Sequence, residues 1–399
     1  MNISDSRHLG TAGILNGVRV LDFTAVISGP YCTRMLSDLG ADVIKIEPPE
    51  GELLRHAPPY RENADGKSFS SLFAPLNAGK RSITLDLKKP ESAKAIYKLT
   101  NHCDVVVENF APGVMKRLGF DYSALRTHNE KLIMCSISGF GQSGPMAARP
   151  AYAPIVHAWS GFDLALLGAQ QHLDKPLNMG PPVADTTASQ QAFGAICAAL
   201  FHRERTGVGQ YIDISMYDAL IGTLHKDFQQ AQYPLDKERY YGPVKTLNGW
   251  IMIMVLSDRH FKGLMKVIDR PDLLDDPRFS SSGARIENYN DMIAHAAEYM
   301  AQHTTDELDK RFAAEGVPSS PYRELADSLV DEQLTQRHMI TQVEDGAGEV
   351  TIANAGALFS ETPAAVQPWV ADLGAHNEEI LRDELALSPE VLDALNVAH

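Results

Sequence analysis

The sequence predicts an α/β protein: a Rossmann-like large domain on a mostly parallel sheet, formed by N- and C-terminal parts of the chain, and a smaller α+β domain set between them. Three observations carry this expectation. Through the first 150 residues, short Val- and Ile-rich runs alternate with amphipathic segments, the order produced when crossover helices join parallel strands. Between about residues 233 and 323 the alternation gives way to one strand-like run and helical pieces cut by prolines. A chain of 399 residues also exceeds one typical core, so division into domains is expected.

In order, the apolar run 18–23 reads as a buried strand. Gly29-Pro30 opens a helix to Leu39, because proline suits the first helical turn, and Gly40 stops it before a strand over 41–47. The cycle repeats with strand 82–87, amphipathic helix 90–102, strand 104–108, helix 113–129 and strand 131–138. Gly180-Pro181-Pro182 then makes a rigid, irregular approach to the segment 186–201, where Ala188, Ala192, Ala195, Ile196, Ala199 and Leu200 recur at helical spacing. Gly209-Gln210 leads into strand 211–215, and a helical segment runs from 216 to about 232. In the smaller domain, strand 250–255 and helix 259–268 precede pieces broken at Pro271, Pro277 and Gly283; Gly316-Val317-Pro318 and Pro321 close it. Two strand-like runs, 340–343 and 349–352, come before Pro363 and terminal helices. The expected domains are thus 12–232 for the first part of the large domain, 233–325 for the small one, and 326–399 for the return segment that completes the large one.

Composition narrows the function classes. The net charge of −15 argues against a nucleic-acid or anionic-membrane partner, because both require a basic face. No apolar run reaches 18 residues, and the polar start Met1-Asn2-Ile3-Ser4 lacks the apolar core of a secretory signal, so a cytoplasmic protein is expected. Cys32, Cys103, Cys135 and Cys197 are scattered without CxxC spacing, the pattern of buried thiols rather than a metal site or disulfide.

Gly139-Phe140-Gly141-Gln142-Ser143-Gly144 has GxGxxG spacing and follows a strand, but Pro145 and Pro150 interrupt the helix that a dinucleotide site needs. It reads as a glycine-rich loop near an active site. P-loop, HExxH and GxSxG patterns are absent, which leaves carboxylates as the reactive groups. Asp185 stands out, since it directly precedes the long helical segment. Unsatisfied N–H groups and the positive helix end there favour an ionised, nucleophilic carboxylate. The same position suits a plain N-cap, and spacing alone leaves both readings open.

Several runs carry a resemblance. Val20-Leu21-Asp22-Phe23, Gly29-Pro30, Leu39-Gly40-Ala41-Asp42-Val43-Ile44-Lys45-Ile46-Glu47, Lys80-Arg81-Ser82-Ile83, Asp104-Val105-Val106-Val107-Glu108-Asn109-Phe110 and Ser138-Gly139-Phe140-Gly141 are similar to those of the class III coenzyme A transferases. That family includes formyl-CoA:oxalate and carnitine CoA-transferases and shares its fold with 2-methylacyl-CoA racemases. The similarity continues through Asp185, the run from His202 to Gln210, Met216-Tyr217-Asp218-Ala219, Asp276-Pro277-Arg278-Phe279, Gly316-Val317-Pro318 and Leu373-Gly374-Ala375-His376, in register over nearly the whole chain.

The resemblance implies CoA transfer from an acyl-CoA to a free carboxylic acid. Asp185 is the implied nucleophile, carrying CoA as an aspartyl thioester. It implies acyl-CoA and a small carboxylic acid as substrates, no permanently bound cofactor, and an interlocked homodimer. It places Val26 and Ser28 in a loop facing coenzyme A, Lys80 and Arg117 at its phosphates, and Asn109 and Phe110 along the pantetheine. Arg55 stands in for an arginine replaced by Pro48, and Tyr152 and Met216 complete the coenzyme contacts. Tyr152, His157 and Gly141 are implied near the acyl or acceptor group; for His157 a hydrogen-bonded place in the active-site wall is the competing reading. The racemase branch has a histidine base where this chain has Tyr152, whose ordinary pKa near ~10 makes a poor base, so transferase is favoured over racemase. A non-catalytic CoA-binding protein is the third reading. The glycine loop of the oxalate enzymes is not evident around Tyr241-Gly242-Pro243-Val244-Lys245, so oxalate is not the expected acceptor.

Overall fold

The structure, a computed structural model, describes residues 13–168, 173–177, 179–234, 241–354 and 356–397. They divide into two compact units, one drawn from 13–162, 179–224 and 331–397, the other from 163–177 and 225–330.

The first unit is organised by β1 (Arg19–Asp22), β2 (Asp42–Glu47), β3 (Arg81–Thr84), β4 (Val105–Glu108), β5 (Ile133–Ser138) and β6 (Tyr211–Ser215). They lie in the order β3-β2-β1-β4-β5-β6, and every pairing is parallel. In the central register Val20 faces Val43 on one side and Val105 on the other. Both sheet faces are covered, which is why these strands read as continuous apolar runs rather than alternating ones. Strand order reverses between β1 and β4, so the loops leaving their carboxyl ends part and leave a crevice.

On one face, α1 (Ser28–Asp38), α5 (Ala153–Ser160), α6 (Val183–Thr206) and α7 (Met216–Thr223) pack Cys32, Leu36, Val156, Ala188, Ala192, Ile196 and Leu220 against Val20, Val43, Val105 and Ile133. Alanine at every fourth position lets α6 approach closely. Gly29 is required at the start of α1, because a Cβ there would sit 2.2 Å from the Thr24 side chain. The other face is covered by α2 (Pro90–Thr100), α3 (Val114–Leu118), α4 (Tyr122–Arg126) and the C-terminal residues Ile380, Leu381 and Leu392.

Several boundaries differ from the sequence reading. The expected helix 113–129 is two short helices, because Gly119 adopts φ 83° and ends α3. The helix expected over 216–232 breaks at Leu224 into α7 and α8 (His225–Gln232). Helix α6 starts at Val183, three residues earlier than its apolar periodicity suggested. The first terminal helix, Glu378–Glu384, is π-helical. Helix α5 was not anticipated, since Pro145, Pro150 and Pro154 mask its periodicity; Pro154 in fact sits in its first turn, where proline is tolerated.

The second unit has its own core of Ile251, Leu264, Phe279, Met292 and Phe312 around the antiparallel strands β7 (Val244–Lys245), β8 (Trp250–Ile253) and β9 (Ser319–Pro321). The hairpin of β10 (Ile340–Asp345) and β11 (Gly348–Ala353) belongs to the first unit. Among the described residues no helix is long and apolar enough to cross a membrane.

Candidate active site

The crevice between β1 and β4 rests on a buried polar layer. Asp22 ends β1 with no exposure, and its carboxylate accepts hydrogen bonds from the Thr24 N–H (2.9 Å), the Thr33 hydroxyl (2.7 Å) and Lys80 Nζ (3.0 Å). Burial alone pushes the Asp22 carboxyl up, but the Lys80 and Lys45 charges and the Thr24 and Thr33 hydroxyls outweigh it and hold it at about 2. Burial pulls Lys80 down to about 8, although Asp22 opposes it. Lys80 also donates to the Pro30 carbonyl and to Asn77 Oδ1, each at 2.9 Å. All three of its donors therefore point inward. Lys80, which the resemblance places at the coenzyme phosphates, thus anchors the turn between β1 and α1.

That turn is strained and clamped. Val26 has φ 67°, a left-handed conformation that a β-branched residue rarely adopts. Its N–H is held by Glu52 Oε2 at 3.1 Å, and Glu52 is itself buried, 3.7 Å from Lys45 Nζ. From β4's exit, Asn109 Oδ1 accepts the Ala25 N–H (2.9 Å), while Nδ2 donates to the Ala25 carbonyl (2.8 Å) and to Ser28 Oγ (3.2 Å). The two loops that flank the strand reversal are thereby fastened to each other. Asn109, expected along the pantetheine, holds the β1 loop through its carboxamide. Glu52 was missed, since nothing in its local sequence separates it from a surface glutamate.

Asp185 is the third residue of α6, not its cap. Pro182 occupies the cap position and supplies no side-chain acceptor. The half-buried Asp185 carboxylate has the Ser28 hydroxyl and N–H, the Ala153 N–H and its own N–H as the groups that favour its ionised form. Burial is the larger influence and raises it to about 6, with these donors pulling the other way. Desolvation thus outweighs the preference for a charged carboxylate that a helix start provides. The group is still mostly ionised at neutral pH. Ser189 Oγ lies 2.7 Å from the carbonyl oxygens of both Ser28 and Asp185, pinning α6 to the start of α1.

The remaining candidates fall into two groups. Tyr152 sits at the cap of α5 with 68 % of its surface exposed, directly before the Ala153 amide that reaches Asp185. His157, on the same helix, is 1 % exposed, and its Nε2 accepts the Ala184 N–H at 3.0 Å. Nε2 thus faces the start of α6, the hydrogen-bonded setting that was one of its two expected places. Met216 is buried at the start of α7; the neighbouring Tyr217 joins Phe140 and Trp159 in one aromatic cluster. Gly141, φ 83°, lies in the glycine loop against Ser215 and Asp213, whose carboxylate accepts the Gln142 N–H. That loop opens no helix, in keeping with the failed dinucleotide context.

Phe110 is half-buried at the exit of β4, its N–H 2.8 Å from Glu108 Oε2. Arg117 is exposed on α3, and among the described residues it forms no ion pair. Arg55 is engaged: it bonds Glu47 through two nitrogens (2.6 and 2.8 Å), donates to the Ala371 carbonyl (3.1 Å) and stacks on Phe73. Among the described residues no group of three or more His, Cys, Asp or Glu is arranged to hold a metal ion. The site thus offers a half-buried carboxylate near the start of α6, with Ser28 and Ala153 groups that favour its charged form.

Comparison with known proteins gives a consistent result. The pattern of CoA-transferase family III matches residues 15–377. The chain is 36% identical over 389 residues to a succinyl-CoA:mesaconate CoA-transferase of Haloarcula hispanica, covering 92% of this chain and 96% of that protein. It is 33% identical to a succinate–glutarate CoA-transferase of Agrobacterium fabrum, covering 92% and 95%. A crystal structure of a CAIB/BAIF family protein from Brucella suis superposes with a TM-score of 0.81 at 30% identity, covering 94% of this chain and all of that one.

Proposed function

The chain belongs to CoA-transferase family III and is an acyl-CoA:carboxylate CoA-transferase, and from that premise we propose that Asp185 is its nucleophile and carries CoA as an aspartyl thioester. The observation that supports this is the carboxylate's setting: half-buried, raised to about 6, yet held by Ser28 and Ala153 donors at the mouth of the crevice. Partial desolvation strengthens a weak nucleophile, and covalent catalysis divides a slow carboxylate-to-thioester exchange into easier steps.

In the first step an Asp185 oxygen attacks the thioester carbonyl; the C–S bond breaks, giving a mixed anhydride and CoA thiolate. The thiolate then attacks the Asp185 carbonyl carbon, forming the aspartyl thioester and releasing the donor acid with one oxygen from Asp185. The acceptor carboxylate attacks that thioester, again expelling thiolate and forming a second anhydride. Attack of thiolate on the acceptor's carbonyl yields the new acyl-CoA and restores Asp185 with one acceptor oxygen. No water enters, so the crevice must exclude it.

The names of the relatives support succinyl-CoA, or a similarly short dicarboxylic monothioester, as donor and a small dicarboxylate as acceptor. Arg117, cationic and exposed, is the residue we assign to the coenzyme phosphates. A homodimer is proposed from the apolar surface each unit leaves open: Phe201 is 64% exposed in the first, while Leu325 is 86% exposed and α8 buries none of its residues in the second. The test of the nucleophile is incubation with succinyl-CoA without acceptor, followed by peptide mass spectrometry. CoA attached at Asp185, and an Asp185→Ala protein that folds but exchanges nothing, are expected. Undiminished exchange by Asp185→Ala would overturn the reading, and a non-catalytic CoA binder would show stabilisation by CoA with neither adduct nor exchange.

A further inference from the structure

Of the N–H groups that open α6, that of Val183 goes to the Pro181 carbonyl (2.9 Å) and that of Thr186 to the Pro182 carbonyl (3.0 Å). The Ala184 N–H goes to Nε2 of His157, 27 positions earlier in the chain and 3.0 Å away. Helix starts usually satisfy such a donor with a Ser, Thr, Asp or Asn at the cap, but here the cap residue is Pro182. An imidazole from α5 takes over that task.

Helix α5 consequently grips the first turn of α6 at two adjacent points and in opposite senses. At its start the Ala153 N–H favours the ionised Asp185 carboxylate. Four residues on, one turn along the same helix face, His157 accepts from the residue before Asp185. The imidazole is 1 % exposed and lies against the Phe162 ring, centroids 5.2 Å apart, so its position is fixed by packing. Accepting an amide hydrogen requires a lone pair on Nε2, which places the proton on Nδ1.

We propose that His157 is a positioning residue of the transferase: a neutral imidazole that caps α6 in place of Pro182 and fixes the Asp185 carboxylate against its Ser28 and Ala153 donors. The inference rests on Asp185 being the nucleophile. It assigns His157 no contact with substrate, so its loss lowers the rate of the covalent steps without weakening substrate binding.

The test uses the full-length protein and its His157→Leu and His157→Gln variants, with kcat and KM for succinyl-CoA and a thermal melt for each. Glutamine is chosen because its carboxamide oxygen reaches the place of Nε2 and accepts the same N–H. In His157→Leu, kcat falls by about 10²-fold, the effect of misplacing a reacting group by roughly 1 Å, while KM changes less than about threefold. His157→Gln recovers kcat to within about tenfold of the parent. A folded Leu variant with parental kcat, a rise in KM in place of the fall in kcat, or a Gln variant as slow as Leu would each overturn the proposal. If the Leu variant does not fold, the Gln variant decides alone: retained kcat supports the cap and lost kcat refutes it. Absence of a CoA adduct at Asp185 in the parent marks failure of the nucleophile reading itself, whatever the His157 variants do.

Discussion

Asn109 and Ala25 exchange two hydrogen bonds, of 2.9 and 2.8 Å, across the point where the strand order of the parallel sheet reverses. One side chain thus imitates the pairing of two strands where no strand continues. The same Nδ2 reaches Ser28 Oγ, whose hydroxyl in turn donates to Asp185. The carboxamide of Asn109 thereby ties the loop that carries Ser28 to the exit of β4.

Replacing Asn109 by Ala is expected to slow kcat by about 10²-fold through misplacement of the Ser28 loop. Stability falls by about 1–3 kcal/mol as the Ala25 peptide loses its partners. Steady-state kinetics and urea unfolding on one preparation check both; parental kcat in a folded variant contradicts the clamp.

Asp185 titrates where activity can report it. Ionised Asp185 is the reactive form, so kcat/KM is expected to climb with pH through about 6 and level off above it. The stability effect has the opposite sign. The folded-state value lies above the unfolded one of about 3.9, so the folded protein carries a penalty above pH ~6 that disappears as pH falls toward ~4. Asp185→Asn is therefore expected to be inactive yet more stable than the parent by about 1 kcal/mol near pH 7.5, with the advantage shrinking near pH 5. Melts of both proteins at the two pH values test this, and a variant less stable at the higher pH contradicts it.

Lys80 is an internal anchor, and its removal tests that directly. Lys80→Met leaves the Asp22 carboxylate buried without its cation, at an expected cost of about 3–5 kcal/mol. Adding Asp22→Asn restores part of the loss, and the double-mutant cycle gives the coupling. A Lys80→Met protein of parental stability but with KM for acyl-CoA raised about tenfold would return Lys80 to the phosphate role.

Arg117 provides the contrasting case. Arg117→Ala is expected to raise KM for acyl-CoA about tenfold, the equivalent of one charge-assisted contact, while stability stays within about 0.5 kcal/mol of the parent. Unchanged KM removes Arg117 from the coenzyme site.

The sheet was legible because its strands are buried on both faces, so Val20, Val43, Val105 and Ile133 stand in uninterrupted apolar runs between glycine and proline stops. Asp185 was legible from its place between a Gly-Pro-Pro approach and an alanine-rich helix. Its departure from the cap position was not, because Val183 and Ala184 extend the helix backward by tertiary contact alone. Long-range partners were invisible: nothing near His157 points to Ala184, and nothing near Glu52 points to Val26. Likewise the local sequence does not show that Lys80 pairs with Asp22 or Arg55 with Glu47.

The central claim is that Asp185 exchanges one carboxylate oxygen with substrate in each half-reaction. Turnover with an acceptor acid labelled with oxygen-18 on its carboxylate, followed by mass spectrometry of the Asp185 peptide, measures this directly. The mechanism requires labelled oxygen in the Asp185 side chain, one atom after a single turnover and up to two after many, appearing only when acyl-CoA and acceptor are both present. Sustained turnover with an unlabelled Asp185 would contradict it.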